Sequence, residues 1–195
     1  GNKLTTVSPS KTILAQVTLE EEFPQDFGIY DLNEFLAALS IFEDPELEFA
    51  DKYVNIKAGG SHIKYYASEV ANLTVPQKDI VFPEAEINFR MTAETLNRIH
   101  KTASVLRAAD VSIIGDGSKV TALVADKKNA TGNSFSEPVG TTDKTFKVNL
   151  KVENLKMLPG DYDVSISSKK ISRFKSSSND LVYYVAVEAD STFEF

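Results

Sequence analysis

Two parts of the sequence repeat one another. Phe27-Gly28-Ile29 recurs as Phe146-Lys147-Val148, 119 residues further along, and each triplet precedes a segment of helical periodicity. Each copy then continues through alternating segments to a pair of tyrosines, Tyr65-Tyr66 in the first copy and Tyr183-Tyr184 in the second. Self-similarity of this kind is typical of a duplicated structural unit. The sequence therefore predicts two similar domains.

A segment containing two prolines predicts where the domains meet. Residues 73–83 (LTVPQKDIVFP) place two prolines around a polar triplet, a composition that suits a linker. We expect a first domain at residues 1–76, a linker at 77–83 and a second domain at 84–195. Residues 84–109 of the second copy have no counterpart in the first copy. We therefore expect the first domain to lack one strand and one helix.

Turn residues separate many short segments in which apolar and polar residues alternate. Gly115-Asp116-Gly117 and Pro159-Gly160 are two of these turns, and the stretch 183–188 is one of the alternating segments. Alternation with a period of two is typical of strands that bury one face. Together with a few helical segments, the pattern predicts an α+β fold built on antiparallel sheets.

Three segments have helical periodicity. Within residues 91–108, Thr92 is placed as an N-cap, and the apolar stripe comprises Leu96, Ile99, Ala103 and Leu106. A second helix is predicted at residues 32–39, after Asp31 as N-cap. We expect it to bury four side chains: Leu32, Phe35, Leu36 and Leu39. The third helix, predicted at residues 152–158, is stopped by the Pro-Gly turn that follows.

The overall charge does not settle what the protein binds. The net charge is −7, and binding to phosphates depends on lysine and arginine, so an acidic chain at first argues against a nucleic-acid partner. An acidic protein can nevertheless present a basic surface locally. The chain has no cysteine, which excludes disulfides and thiolate metal sites. No apolar stretch reaches the roughly 20 residues that a membrane-spanning helix needs.

No motif indicates catalysis. The two histidines, His62 and His100, stand outside any metal-binding or nucleophile motif. Residues 115–119 (GDGSK) lack the spacing of a phosphate-binding loop and predict a hairpin turn instead. The aspartates near the turns, including Asp161 and Asp163, do not match a calcium loop. We expect no catalytic residue, no metal site, no cofactor and no enzymatic activity.

Basic residues on two of the predicted helices are the candidates for binding DNA. Arg98 and Lys101 lie opposite the apolar stripe, and Arg107 lies near the end of the same helix. In a duplicated fold, similar helices would present Lys151 and Lys156 to the same phosphates. Lys127 and Lys128, in a loop after a strand, would add backbone contacts. The alternative is that these residues form an ordinary solvated surface.

The chain resembles the sliding clamps of T-even-type bacteriophages, which are DNA polymerase processivity factors. The resemblance spans nearly the whole chain and is carried by residues 29–40 (IYDLNEFLAALS), 159–162 (PGDY) and 183–195 (YYVAVEADSTFEF), with further matches at Met157, Lys101 and Lys156. It implies a DNA-clamp fold of two similar domains, each an antiparallel sheet with helices lining the inner face. It also implies a processivity factor that encircles duplex DNA without sequence readout and tethers the replicative polymerase.

The resemblance further implies partners and a location. Family members are homotrimeric rings, opened by a clamp loader, that work in the cytoplasm of the infected bacterial host and also support late transcription. Partner peptides dock into an apolar pocket, to which Ile80, Val81 and Phe82 of the predicted linker would contribute. These residues would otherwise pack the two domains together. The alternative function is a non-enzymatic structural or interaction protein with a duplicated strand-rich fold and no DNA role.

Overall fold

The chain forms two compact units in a computed structural model that describes residues 1–76, 78–129 and 131–195. The first unit comprises Gly1–Leu4 and Leu19–Gln77, and the second comprises Thr5–Thr18 and Lys78–Phe195. Residues 5–18 group with the second unit because the strand at Ile13–Thr18 pairs with the strand at Leu181–Ala186. The domain boundaries that the sequence predicts stay a prediction, and Gln77 of the predicted linker lies outside the described residues.

The described elements are mostly strands. The strands are β1 (Lys3–Val7), β2 (Ile13–Thr18), β3 (Glu46–Phe49), β4 (Tyr53–Ala58), β5 (Ser61–Tyr66), β6 (Ile87–Met91), β7 (Asp110–Asp116), β8 (Lys119–Ala125), β9 (Ser134–Thr141), β10 (Thr145–Lys151), β11 (Tyr162–Ser167), β12 (Ile171–Ser176), β13 (Leu181–Ala186) and β14 (Thr192–Phe193). The helices are α1 (Leu32–Ser40), α2 (Ala93–Leu106) and two 3-10 helices, Val70–Asn72 and Val152–Leu155. None of the described helices has the length and apolarity that crossing a bilayer requires.

The first unit contains a three-stranded antiparallel meander in the order β3-β4-β5. Val54 and Ile56 of its central strand are fully buried. Aromatic rings extend this small core: Phe35 of α1 lies 5.0 Å from Tyr65 of β5, measured between ring centroids. The Asp31 carboxylate accepts hydrogen bonds from two backbone N–H groups of the first turn and so begins α1, as predicted.

The prediction that α1 buries four apolar side chains is wrong for two of them. Phe35 and Leu39 are half-buried, but Leu32 and Leu36 remain 58% and 51% exposed. Helical periodicity shows which side chains share a face, and it does not show how much of that face the neighbouring elements cover. In the described part of the first unit, the aromatic cluster covers only the Phe35 side of the stripe.

The second unit has two antiparallel sheets around one core. The sheet orders are β1-β2-β13-β12-β11-β6 and β14-β10-β7-β8-β9. The meander β11-β12-β13, whose last strand contains Tyr183-Tyr184, matches β3-β4-β5, whose last strand contains Tyr65-Tyr66, and this agrees with that part of the sequence repeat. The triplets that begin the two copies differ in structure, since residues 27–29 are not a strand whereas residues 146–148 lie in β10.

Helix α2 is anchored in the core of the second unit. Leu96, Ile99 and Ala103 are buried, and the helix packs against β7, β8 and β9. The hydroxyl of Thr92 accepts a hydrogen bond from the N–H of Thr95 and caps the helix, as predicted. The third predicted helix is a single 3-10 turn, Val152–Leu155, and is shorter than the sequence indicates. Only Leu155 of its apolar side chains is buried, so packing supports one turn and no more.

Candidate nucleic-acid interface

Two helical segments of the second unit meet at a polar contact, and an exposed lysine follows each of the two contacting residues. The Nε2 atom of His100 on α2 lies 2.8 Å from the carbonyl oxygen of Leu155 in the 3-10 helix. Lys101 and Lys156 directly follow these two residues, and both are exposed. The contact therefore holds the predicted DNA-facing lysines Lys101 and Lys156 on adjoining backbone segments.

An open groove borders this contact. Its volume is about 770 Å³, and its lining includes His100 and Ser104 from α2 together with Lys151, Glu153 and Lys156. Apolar residues, among them Ala103, Val152 and Met157, also line the groove. An open groove of this kind does not enclose a ligand as small-molecule pockets do.

Arg107, another exposed cation, lies at the end of α2. Arg107 adopts the left-handed conformation (φ 53°) that closes the helix, and its N–H donates to the carbonyl of Ser104. Arg107 borders a smaller groove, of about 420 Å³, that is also lined by Asp126 and Asn129 of the loop carrying Lys128. Arg107 lies six residues after Lys101, which is about 9 Å along a helix axis.

Three other predicted DNA-facing residues form ion pairs with carboxylates. Arg98 contacts both Glu94 and Glu137, and its Nε donates to Glu137 Oε2 at 2.9 Å. Lys127 Nζ lies 2.8 Å from Asp190 and 3.2 Å from Asp110. Lys151 Nζ lies 2.9 Å from the other oxygen of Asp110 and 3.8 Å from Glu188. In contrast, Lys101, Arg107, Lys128 and Lys156 have no carboxylate partner in the part of the chain that the structure describes.

The pairing shifts the pKa values of the groups involved. Hydrogen bonding to Arg98 lowers the pKa of the Glu137 carboxyl, although burial raises it. Hydrogen bonding to Asp110 raises the pKa of Lys151. For Lys127, burial lowers the pKa, but the bonds to Asp190 and Asp110 outweigh it and the net pKa is raised. Glu137, Lys127 and Lys151 are therefore charged near neutral pH and are held by their partners.

Glu137 is the important residue that the sequence interpretation missed. It lies in β9 on the same face as Phe135 and Val139, and its side chain is only 18% exposed. An acidic residue on the inward face of an alternating strand requires a cationic or hydrogen-bonding partner. This alternation was the signal available in the sequence, but the sequence could not identify Arg98 as the partner.

The linker residues predicted to bind partners differ in their surroundings. Val81 is 90% exposed, and Ile80 is half-buried. Phe82 packs on Tyr184 of β13, with a ring-centroid distance of 6.0 Å, and the guanidinium of Arg173 lies 4.7 Å from the Phe82 ring. Phe82 is therefore held against the outer face of the six-stranded sheet, and Val81 is left in solvent.

The negative charge of the protein is concentrated in one unit. The first unit carries four lysines against twelve acidic residues, whereas the second carries seventeen basic and sixteen acidic residues. The overall charge of −7 therefore says little about the second unit, where the free cations lie. Among the described residues, no group of three or more histidine or acidic side chains is placed to hold a metal ion.

The second unit matches a known protein family. The family model for the "gp45 sliding clamp, C terminal" matches residues 88–189, which is more than half of the chain. The chain belongs to the sliding clamp family. It is 29% identical to the sliding clamp of Vibrio phage KVP40 over 197 residues, covering 97% of this chain and 88% of the relative. It is also 29% identical to the sliding clamp of Enterobacteria phage T4, covering 100% of this chain and 89% of that protein.

Solved structures share the fold of this sliding clamp at low sequence identity. The proliferating cell nuclear antigen of Thermococcus kodakaraensis matches with a TM-score of 0.68 and 14% identity, over 95% of this chain and 86% of that chain. The DNA polymerase III subunit beta of Borrelia burgdorferi matches with a TM-score of 0.72 and 13% identity, over 97% of this chain and 54% of that chain. The predicted α+β clamp fold is therefore confirmed.

Family membership also decides the general function. Sliding clamps are non-enzymatic processivity factors of DNA synthesis, and the function of this chain is that of a DNA sliding clamp. The resemblance inferred from the sequence is confirmed, and so is the expectation that the protein is not an enzyme. Which residues contact DNA is a separate question, because the relatives share about 29% of their residues with this chain.

Proposed function

We propose that this sliding clamp encircles duplex DNA and contacts the phosphates through Lys101, Arg107, Lys128 and Lys156, and so tethers the replicative polymerase. The observation that supports this proposal is the contact between His100 and Leu155, because an exposed lysine, Lys101 or Lys156, directly follows each of these two residues. Unpaired, exposed cations release counterions when they approach phosphates, which drives binding without sequence readout. A clamp that slides requires contacts of this kind, because base-specific contacts would stop it.

Charge reversal tests the proposed DNA contacts. Lys101→Glu combined with Lys156→Glu should weaken DNA binding and reduce processive synthesis with the cognate polymerase and loader. Lys175→Glu is a matched control, because Lys175 is an exposed lysine without a carboxylate partner in the described part of the same unit, in β12. The control changes the net charge by half as much as the double variant. A control effect half as large as that of the double variant would therefore refute the assignment, since only the total charge would then matter.

We also propose that the protein acts as a homotrimer that a clamp loader opens. Strand β9 supports self-association, because it is the outermost strand of its sheet in the described chain and offers an edge to which another strand can add. Sedimentation equilibrium checks this directly: three copies per particle are expected, and a monomer at micromolar concentration would contradict it.

We also propose that the protein functions in the host cytoplasm and supports late transcription. Transcription from a late promoter, compared with and without the clamp, would test the role in transcription.

The linker is the proposed docking site for partner peptides, with Val81 as the contact residue. Its support is the exposure of Val81 beside Phe82, which Tyr184 and Arg173 hold in a fixed position. Val81→Asp should weaken polymerase binding and leave DNA binding unchanged. Unchanged polymerase binding by a Val81→Asp protein that still binds DNA would contradict this role.

A further inference from the structure

Arg98 is the basic residue of α2 that is most fully occupied by acidic groups. Its Nε donates to Glu137 Oε2 at 2.9 Å, a second nitrogen contacts Glu137 Oε1, and the third contacts Glu94. Arg98 and its two carboxylates together carry one net negative charge. A phosphate group approaching this site would therefore be repelled unless Arg98 first separated from a carboxylate.

The Glu137 carboxylate is itself fixed in position. It is 18% exposed, lies in β9, and also accepts a hydrogen bond from the Thr95 hydroxyl at 3.2 Å. The Thr95 hydroxyl in turn accepts a hydrogen bond from the Thr92 hydroxyl at 3.0 Å. The Arg98 guanidinium is thus bound to a rigid, pre-organised acceptor on the neighbouring strand, in a bidentate arrangement that favours arginine over any looser partner.

Lys101, one turn further along α2, has a different environment. It is exposed and has no carboxylate partner among the residues described, although it lies on the same helix surface as Arg98. Among the residues described, therefore, Arg98 is paired with carboxylates and its neighbour Lys101 is not. Chain position alone cannot explain this difference, whereas the inward-facing Glu137 does.

We propose that Glu137 is a positioning residue that holds Arg98 away from the DNA phosphates and thereby limits the affinity of the clamp for DNA. The inference rests on the proposed DNA-facing role of α2. Its physical logic is that a sliding clamp should bind the duplex weakly at many points, and a strong arginine–phosphate contact would slow its movement. Because Glu137 holds Arg98, the DNA phosphates are contacted by the lysines, which bind them more weakly.

The test is the salt dependence of binding to a fluorescent duplex, measured by anisotropy with the whole chain. Glu137→Gln keeps the size of the side chain and removes its charge. The slope of log affinity against log salt should steepen by about 0.9 for each new arginine–phosphate pair, so affinity falls about eightfold further per tenfold rise in salt. The double variant Glu137→Gln/Arg98→Gln should return to the slope of the unmodified protein.

Two further variants separate this role from a general effect of charge or stability. Glu86→Gln removes one negative charge at a carboxylate that binds Ser168 rather than an arginine, and it should leave the slope unchanged. If Glu137→Gln fails to fold, Glu94→Gln replaces it, because Glu94 is 79% exposed and also contacts Arg98. A smaller steepening is expected there, since Glu137 still holds the guanidinium.

The outcomes are distinguishable. A steeper slope in Glu137→Gln that disappears in the double variant supports the inference. An unchanged slope in a folded Glu137→Gln protein, with a normal slope in the unmodified protein, overturns the inference and leaves the proposed function standing. The absence of any salt dependence in the unmodified protein would overturn the proposed function and the inference with it.

Discussion

Replacing Ile99 by alanine removes three carbons from the centre of the second unit. Ile99 is completely buried beneath α2, in the same core as Met91, Val148 and Leu155. At about 0.8 kcal/mol per buried carbon, the lost transfer free energy is about 2.4 kcal/mol. The cavity left behind brings the expected loss of unfolding free energy to about 3–5 kcal/mol, because a close-packed core collapses only in part.

Urea unfolding followed by far-UV circular dichroism measures this loss. The midpoint for Ile99→Ala should fall while the slope m stays unchanged, since the surface exposed on unfolding hardly differs. The melting temperature should drop by about 2–4 °C for each kcal/mol lost. Val105→Ala is the matched control on the same helix: Val105 is 80% exposed, and its replacement should change stability by less than about 0.5 kcal/mol. Equal effects of the two substitutions would refute the placement of α2 in the core.

Three smaller predictions concern other parts of the second unit. Gly115→Ala should destabilise the protein by about 1–3 kcal/mol in the same urea assay, because a Cβ there would lie 2.7 Å from the backbone oxygen of Lys144. An unchanged free energy of unfolding would contradict this crowding. Hydrogen bonding from the Ala93 N–H lowers the pKa of Asp161, so Asp161→Asn should reduce the melting temperature at pH 7. The difference in melting temperature between the two proteins should vanish as the pH falls below 3.8, and a difference that stays constant with pH would exclude a stabilising role for the Asp161 charge. Burial raises the pKa of Tyr162 to about 12, so at least one of the seven tyrosines should resist ionisation at pH 10 to 11 in an absorbance titration. Complete ionisation of all seven in that range would disprove the burial of Tyr162.

Features that depend on neighbouring residues could be predicted from the sequence. Thr92 begins α2 and Asp31 begins α1 because each side chain caps the turn that follows it. The hairpin between β7 and β8 turns at Gly117, which has the positive φ (83°) that glycine tolerates. These signals are local, and nothing distant in the chain overrides them.

The charge pairing of the candidate site could not be predicted in the same way. Glu137 is 39 residues from Arg98, and Asp190 is 63 residues from Lys127, so both pairs exist only because the strands adopt a particular register. The sequence therefore pointed to the basic residues as a group but could not separate the paired from the free ones. The exposure of Leu36 on α1 has a similar origin, because it depends on which elements pack beside the helix.

Topological attachment to DNA is the central claim, and linearisation of the DNA tests it most directly. The clamp is loaded onto nicked circular DNA by its loader and ATP, separated from free protein, and the DNA is then cut once with a restriction enzyme. A ring held mainly by encirclement, with weak phosphate contacts from residues such as Lys101 and Lys156, should remain on the circle and be lost from the linear DNA. Equal retention on circular and linear DNA would contradict the account, because it would mean that direct binding, and not encirclement, holds the protein in place.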